Sequence, residues 1–287
     1  MRHASNSRRR EKKRHKMTDL LMVSHFHKDF PFNHESSWLK AAYAGSHAPY
    51  GWHPPGPGNW INTSHHKSVY EYRHYYGTLN EDEFLRALGQ QASEYYLWKH
   101  ARADFIGCTT YRRYLDFKGD LDKNVLKAAM PPTKESADYM ASDEQKAAAL
   151  KLLETHDAIT NPITPLPYSV RTQYLQSQPE EYLNLFLEGI EKLLPDYRNS
   201  MNWWDENGAS FETCYVMRKQ LFRKYASELF EILEYVWQNT SKTYPTQQTT
   251  SEPLPWRYPG FLGERFVPFF LHANKINVAR VPLIILE

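Results

Sequence analysis

Two amphipathic helices separated by a short apolar run set the strongest limit on what this chain can become. Over Pro179–Leu194, the residues Tyr182, Leu183, Phe186, Ile190, Leu193 and Leu194 recur at helical spacing, and Pro179 suits a first turn. Over Arg218–Trp237, Leu221, Phe222, Tyr225, Leu229, Leu233 and Val236 share one face and read as core. The intervening Phe211–Met217 reads as a strand. The alternation continues upstream. Asp19–His25 (DLLMVSH) has the form of a buried first strand, and Asn80–His100 of a helix capped by Asn80 with Glu81, Asp82 and Glu83 in its first turn. Asp104–Cys108 (DFIGC) and His156–Thr160 read as further strands. Downstream, Phe261–Leu271 starts as helix and Val278–Leu286 reads as a final strand. Strands that alternate with helices throughout define the α/β class. The cluster Pro54, Pro55, Gly56, Pro57 and Gly58 can only be loop, residues 131–146 read as a polar, Pro-led mobile excursion, and 239–256 as a Thr-, Pro- and Gln-rich loop.

Composition supports a packed core. Of 287 residues, 41% are apolar, which excludes a disordered chain and a disulfide-stapled miniprotein. Cys108 and Cys214 are too few for a disulfide framework or a cysteine zinc site. Charge is unevenly spread. Residues 1–16 carry eight Lys or Arg against Glu11, leaving 27 basic and 32 acidic residues in the remainder. The tail is therefore expected to be a disordered basic arm on a mildly acidic body, 17–287, which is poorly suited to neutralising duplex phosphates. Met17 offers an alternative start that would exclude the arm. No segment has the length of a membrane-spanning helix, and the arm lacks the apolar region of a secretory signal, so a cytoplasmic setting is expected. Aromatic residues reach 15%, in keeping with a sugar or base pocket as well as with core.

Four blocks, taken in order, resemble one family. Ser93–His100 (SEYYLWKH) is similar to E-L-T-x-x-Y-W-x-W-K-N, Ile106–Leu115 (IGCTTYRRYL) to I-G-x-x-H-Y-R-R-Y-F, and Arg257–Phe266 (RYPGFLGERF) to R-x-x-G-F-L-x-E-R-L. Tyr215–Tyr225 with Leu229–Leu233 resembles the family's strand-and-helix segment. The family is that of bacterial capsule and exopolysaccharide glycosyltransferases long filed as a domain of unknown function. The resemblance spans roughly 17–287. It implies a single GT-A-like nucleotide-sugar-binding domain, with a mixed central sheet flanked by helices, that transfers a sugar from a nucleotide donor, UDP-linked by preference. Three departures stand out: Thr110 replaces the family's His, Thr213 an Asn, and His100 the Asn that ends the first block. The stretch His65–Gly77 (HHKSVYEYRHYYG) has no family counterpart and is expected to be an acceptor surface.

Candidate site residues follow from the chemistry of such a transfer. Arg112 and Arg113 end a strand and can stabilise the diphosphate charge that grows as the glycosidic bond breaks, although strand alternation aims them apart. Their alternative role is an ion pair with Glu94 or Asp116. Tyr111 and Arg265, from the same blocks, join the donor-binding set. His25, at the end of the first strand, is placed near the nucleotide base, and Glu94 and Trp98 support the pocket. Glu264 is the candidate general base, with an ion pair to Arg257 or Arg265 as the competing reading, and Asp205 is held in reserve. Trp203 and Trp204 stack on an acceptor sugar or pack as core. Asp116 is the candidate ligand for Mn2+ or Mg2+, ahead of the D-x-D at Asp120 and Asp122, and the arginines offer a route without metal. The acceptor is expected to be a glycan or lipid-linked sugar, with the arm on an anionic membrane surface. Two rival readings remain: transfer to a nucleic acid base, and a non-enzymatic nucleic-acid binder that stacks bases on Tyr70, Tyr72, Tyr75 and Tyr76.

Overall fold

A computed structural model describes residues 19–26, 36–43, 60–62, 90–119, 126–240 and 258–287. The basic arm, the Pro54–Gly58 cluster, residues 65–77, 80–89, Asp120, Asp122, 241–256 and Arg257 lie outside them. The strands are β1 (Leu20–Phe26), β2 (Leu39–Tyr43), β3 (Trp60–Asn62), β4 (Phe105–Thr110), β5 (Arg113–Leu115), β6 (Lys127–Met130), β7 (Ala158–Thr160), β8 (Thr164–Pro165), β9 (Gly208–Ala209), β10 (Tyr215–Arg218), β11 (Val278–Arg280) and β12 (Leu283–Leu286). The helices are α1 (Gln91–His100), α2 (Lys134–Ala141), α3 (Asp143–Leu152), α4 (Val170–Leu175), α5 (Glu180–Leu193), α6 (Lys219–Asn239) and α7 (Tyr258–Ala273), with a 3-10 segment at Pro195–Asp205.

The central sheet runs β11-β7-β10-β4-β1-β2-β3, and β12, between β5 and β6, extends it from the β4–β5 hairpin. Along the main path only β10 is antiparallel to its neighbours, β4 and β7. The sheet is therefore mixed, and helices cover both faces. Side-chain alternation sorts the strand residues. Val23, Ile106, Cys108, Ala158, Tyr215 and Met217 face a core shared with α1, α5, α6 and α7. Leu20, Met22, Phe105, Ile159, Cys214 and Val216 face a second core shared with α2, α3 and β12.

β4 packs closely against β1 and β10 at Gly107. A Cβ at Gly107 would lie 2.6 Å from the Tyr215 carbonyl oxygen and 2.8 Å from Met22 Cγ. Backbone cannot yield as a flexible side chain can, so Gly107→Ala is expected to destabilise the fold by about 1–3 kcal/mol. A urea midpoint equal to that of the wild type would show instead that β4 has room.

Four sequence expectations are corrected. Residues 131–146 are largely helical: α2 is capped by Thr133, which accepts from Ser136 N, and α3 by Ser142, which accepts from Gln145 N. The Ser142-x-x-Gln145 spacing carries the pattern of a capping box. The strand expected over 211–217 starts only at Tyr215, because Glu212 (φ 82) and Thr213 (φ 46) are left-handed and break the ladder. The final strand is two. Pro282 separates β11, which pairs with β7, from β12, which crosses to β5 and β6. Helix α7 begins at Tyr258, three residues earlier than the spacing suggested, and continues through Pro268, which has no N–H for the carbonyl of Glu264. Within the described residues no helix is long and apolar enough to cross a membrane.

Candidate active site

Strands β1, β4, β7 and β11 run the same way and end at one edge of the sheet. β10 runs against them, so residues 210–214 cross that edge to enter it. Open α/β sheets hold their ligands outside the carboxyl ends of their strands, and the candidate residues that converge do so here.

The β4–β5 hairpin supplies the cations. Thr110 pairs with Arg113, leaving Tyr111 and Arg112 as a two-residue turn. Tyr111 N donates to His25 O at 2.9 Å, which ties the turn to β1, and Thr109 Oγ1 donates to the Arg113 carbonyl. The Tyr111 ring is buried. Arg112 is exposed, with its guanidinium 5.8 Å from the Tyr111 ring centroid. Arg113 points elsewhere: its Nε lies 2.5 Å from Glu212 Oε2. The arginines are thus aimed apart, and neither is paired with Glu94 or Asp116 in the way the competing reading required.

Glu212 ties the edge together, and nothing in its sequence context announced it. Lys127 Nζ stands 3.0 Å from its Oε1, and its own N–H donates to Glu264 Oε1 at 3.1 Å. Glu264 Oε2 lies 3.3 Å from Arg265 Nη1. Glu264 therefore sits between a backbone donor and a guanidinium, partly exposed at the carboxyl edge. Arg265 is buried to 1% exposure and serves as a pin. It donates Nη1 to Phe261 O at 2.6 Å and Nε to Gln173 Oε1 at 3.1 Å, among the rings of Tyr174, Phe211 and Phe261. Burial pulls its guanidinium below the usual value, and Glu264 opposes that pull.

The first turn of α1 reaches the edge in three directions. Gln90 Nε2 donates to Thr213 O at 2.7 Å. Ser93 Oγ and His25 Nδ1, 2.9 Å apart, share a hydrogen bond that fixes the buried His25 ring. Gln91 packs against Gly263 so closely that a Cβ there would lie 2.2 Å from its Nε2. Glu94, one residue beyond Ser93, points into the core instead. It is fully buried, and its Oε2 accepts from Tyr225 Oη at 3.0 Å while Oε1 has no hydrogen-bond partner among the described residues. Burial pushes its carboxyl up to about 7, against the opposing contacts of Tyr215 and Tyr225.

Five candidates lie elsewhere, each for a physical reason. Trp98 is stacked on Phe230 of α6, with ring centroids 5.7 Å apart, two turns or roughly 10 Å along α1 from the edge. Trp203 and Trp204 are core: they are 6% and 0% exposed and pack on Phe186 and Phe269, so neither offers a face to a sugar. Asp205 is exposed at the end of the 3-10 segment, 3.5 Å from Arg171, apart from the cluster. Asp116 is fully buried, and its Oδ1 accepts from Tyr139 Oη and Gln145 Nε2, each at 2.8 Å, so it anchors α2 and α3. Glu212 and Glu264 are engaged by cations, and no group of three His, Cys, Asp or Glu among the described residues could hold a metal ion.

Strand order and edge cluster together define a mixed α/β domain of the kind that takes ligands at the carboxyl edge of its sheet. Residues 91–275 match the family described as a domain of unknown function, DUF4422, and the chain belongs to that family. No curated protein matches it. Among solved structures, it is similar to the apo form of the bifunctional glycosyltransferase WbbM, with a TM-score of 0.69 at 15% identity. That match takes in 94% of this chain but 46% of WbbM, so the chain spans about half of that protein's length. The likeness is one of fold.

Proposed function

We propose that the chain is a glycosyltransferase that moves a sugar from a nucleotide donor, UDP-linked by preference, to a hydroxyl of a glycan or lipid-linked acceptor in surface polysaccharide synthesis. The observation that carries this reading is the meeting of Arg113 and Glu264 on Glu212 at the carboxyl edge of the sheet. A guanidinium there can take up diphosphate charge as the sugar leaves, while a carboxylate beside it can accept the acceptor proton. Arg112, exposed at the hairpin tip, adds a second positive charge at the mouth. Tyr111, His25 and Ser93 hold the hairpin and β1 in place, and Arg265 orients Glu264. The fold shared with a bifunctional glycosyltransferase supports the same reading.

Calorimetric titration with UDP, GDP and CDP, each with and without manganese, tests the proposal. UDP is expected to bind selectively, and Arg113→Ala to weaken it by about ten- to a hundredfold, the worth of a charged hydrogen bond. A folded protein that binds none of the three nucleotides would overturn the reading.

A further inference from the structure

The carboxylate of Glu212 is clamped by two cations, one on each oxygen. Arg113 Nε lies 2.5 Å from Oε2 and Lys127 Nζ 3.0 Å from Oε1. Arg and Lys grip a phosphoryl group in the same way, through separate oxygens. The Glu212 side chain is 16% exposed, whereas Arg113 and Lys127 are 28% and 35% exposed, so both cations keep an open side. Lys127 enters from β6, the next strand along the chain, which is joined to β5 in the sheet through β12, the strand between them. Three separate strands or loops therefore deliver charge to one point.

The residue that fills this point is under backbone strain. Glu212 has φ 82 and Thr213 φ 46, a left-handed pair without a glycine. The pair is held by Gln90 on Thr213 O, by the Glu212 N–H on Glu264 and by Cys214 Sγ on Glu212 O at 3.3 Å. Strain of this kind persists only where surrounding contacts enforce it, and it is relieved when one of them is exchanged.

We propose that Arg113 and Lys127 form a two-cation phosphate site, that Glu212 is its resident counter-ion, and that the diphosphate of a nucleotide displaces the Glu212 carboxylate. This rests on the nucleotide-sugar reading above. It adds Lys127 to the donor-binding residues and gives Glu212 a positioning role. The backbone N–H of the same residue donates to Glu264 Oε1, so the counter-ion stands next to the candidate base. Before the donor arrives, the cations are neutralised.

The test is titration of the full chain with the three nucleoside diphosphates and with inorganic pyrophosphate, comparing wild type, Glu212→Gln and Lys127→Met. Gln keeps the shape of the side chain and removes its charge. Glu212→Gln is expected to bind nucleotide and pyrophosphate about tenfold tighter, and Lys127→Met about tenfold weaker, as for partly exposed charge pairs with two contacts. Wild type that binds while Glu212→Gln binds equally or more weakly overturns the counter-ion role and leaves the nucleotide reading intact. Failure of all three proteins to bind any of the probes overturns both. Should Glu212→Gln fail to unfold cooperatively, Lys127→Met decides, and an unchanged pyrophosphate affinity there overturns the two-cation site.

Discussion

Glu264→Gln is expected to slow sugar transfer by about 10²–10⁴-fold, the range lost when a general base is removed, while nucleotide affinity is retained. The substitution is conservative for the surrounding contacts. The amide oxygen can still accept from the Glu212 N–H, and Arg265 keeps its bonds to Phe261 O and Gln173. Only the capacity to take a proton is lost. A merely structural Glu264, held for its ion pair with Arg265, would show a different pattern: a lower melting temperature and a raised KM with kcat little changed. The base reading requires the fall to appear in kcat. Transfer at the wild-type rate would assign Glu264 to the ion pair and send the search for a base to other residues.

The second large effect concerns stability. Glu94 is enclosed by α1, α6 and β10, and its carboxyl is raised from an ordinary 4.5 to about 7 by burial. In the unfolded chain it ionises at the lower pH. Between these values the folded protein binds more protons than the unfolded one, so stability falls as pH rises across that window. The contribution is present in full below about 4.5 and lost above about 7, and amounts to about 3 kcal/mol. Glu94→Gln removes it: the variant's stability is expected to change less steeply with pH, overtaking wild type toward pH 7.5. Urea unfolding of both proteins at pH 5 and pH 7.5 reads the difference directly. Glu228, which burial also raises, titrates in both proteins and cancels. Parallel slopes for the two proteins would show that Glu94 is not the source.

Legibility in the sequence tracked local physics. The helices α5 and α6 fall within a residue or two of the limits set by apolar spacing, because each buries a single stripe against the sheet. Strand β4 begins with the apolar run Phe105–Cys108 because it is buried on both faces, and it was legible for that reason. Two features escaped because their causes lie far away along the chain. Glu212 and Thr213 are left-handed without a glycine to signal it; the contacts that hold them come from Gln90 and Glu264. Lys127 is an ordinary lysine until β12, pairing with both strands, joins β6 to β5 in the sheet. The tandem tryptophans were left open between a sugar platform and core, and they are core: Trp203 and Trp204 turn inward on Phe269 while Asp205 stays in solvent. Sequence adjacency says little about facing once a segment winds into a 3-10 helix. Helices α2 and α3 were readable from their Thr133 and Ser142 caps, and the polarity of the segment hid them.

The placement of β12 has a consequence for the order in which the molecule is made. Residues 283–286 zip between β5 and β6, Leu286 N bonds Arg112 O at 2.8 Å, and Glu287 N bonds Met130 O at 3.1 Å. β10, which fills the centre of the sheet between β4 and β7, is itself synthesised about a hundred residues after β4. During translation the early strands must wait, first for their central partner and then for the strand that aligns the cationic hairpin with Lys127. Such long-range closure is slow relative to local helix formation. A nascent chain that has emerged only as far as α6 can have its earlier helices, yet it still lacks Glu264 on α7 and the strand β12 that joins Lys127 to the hairpin.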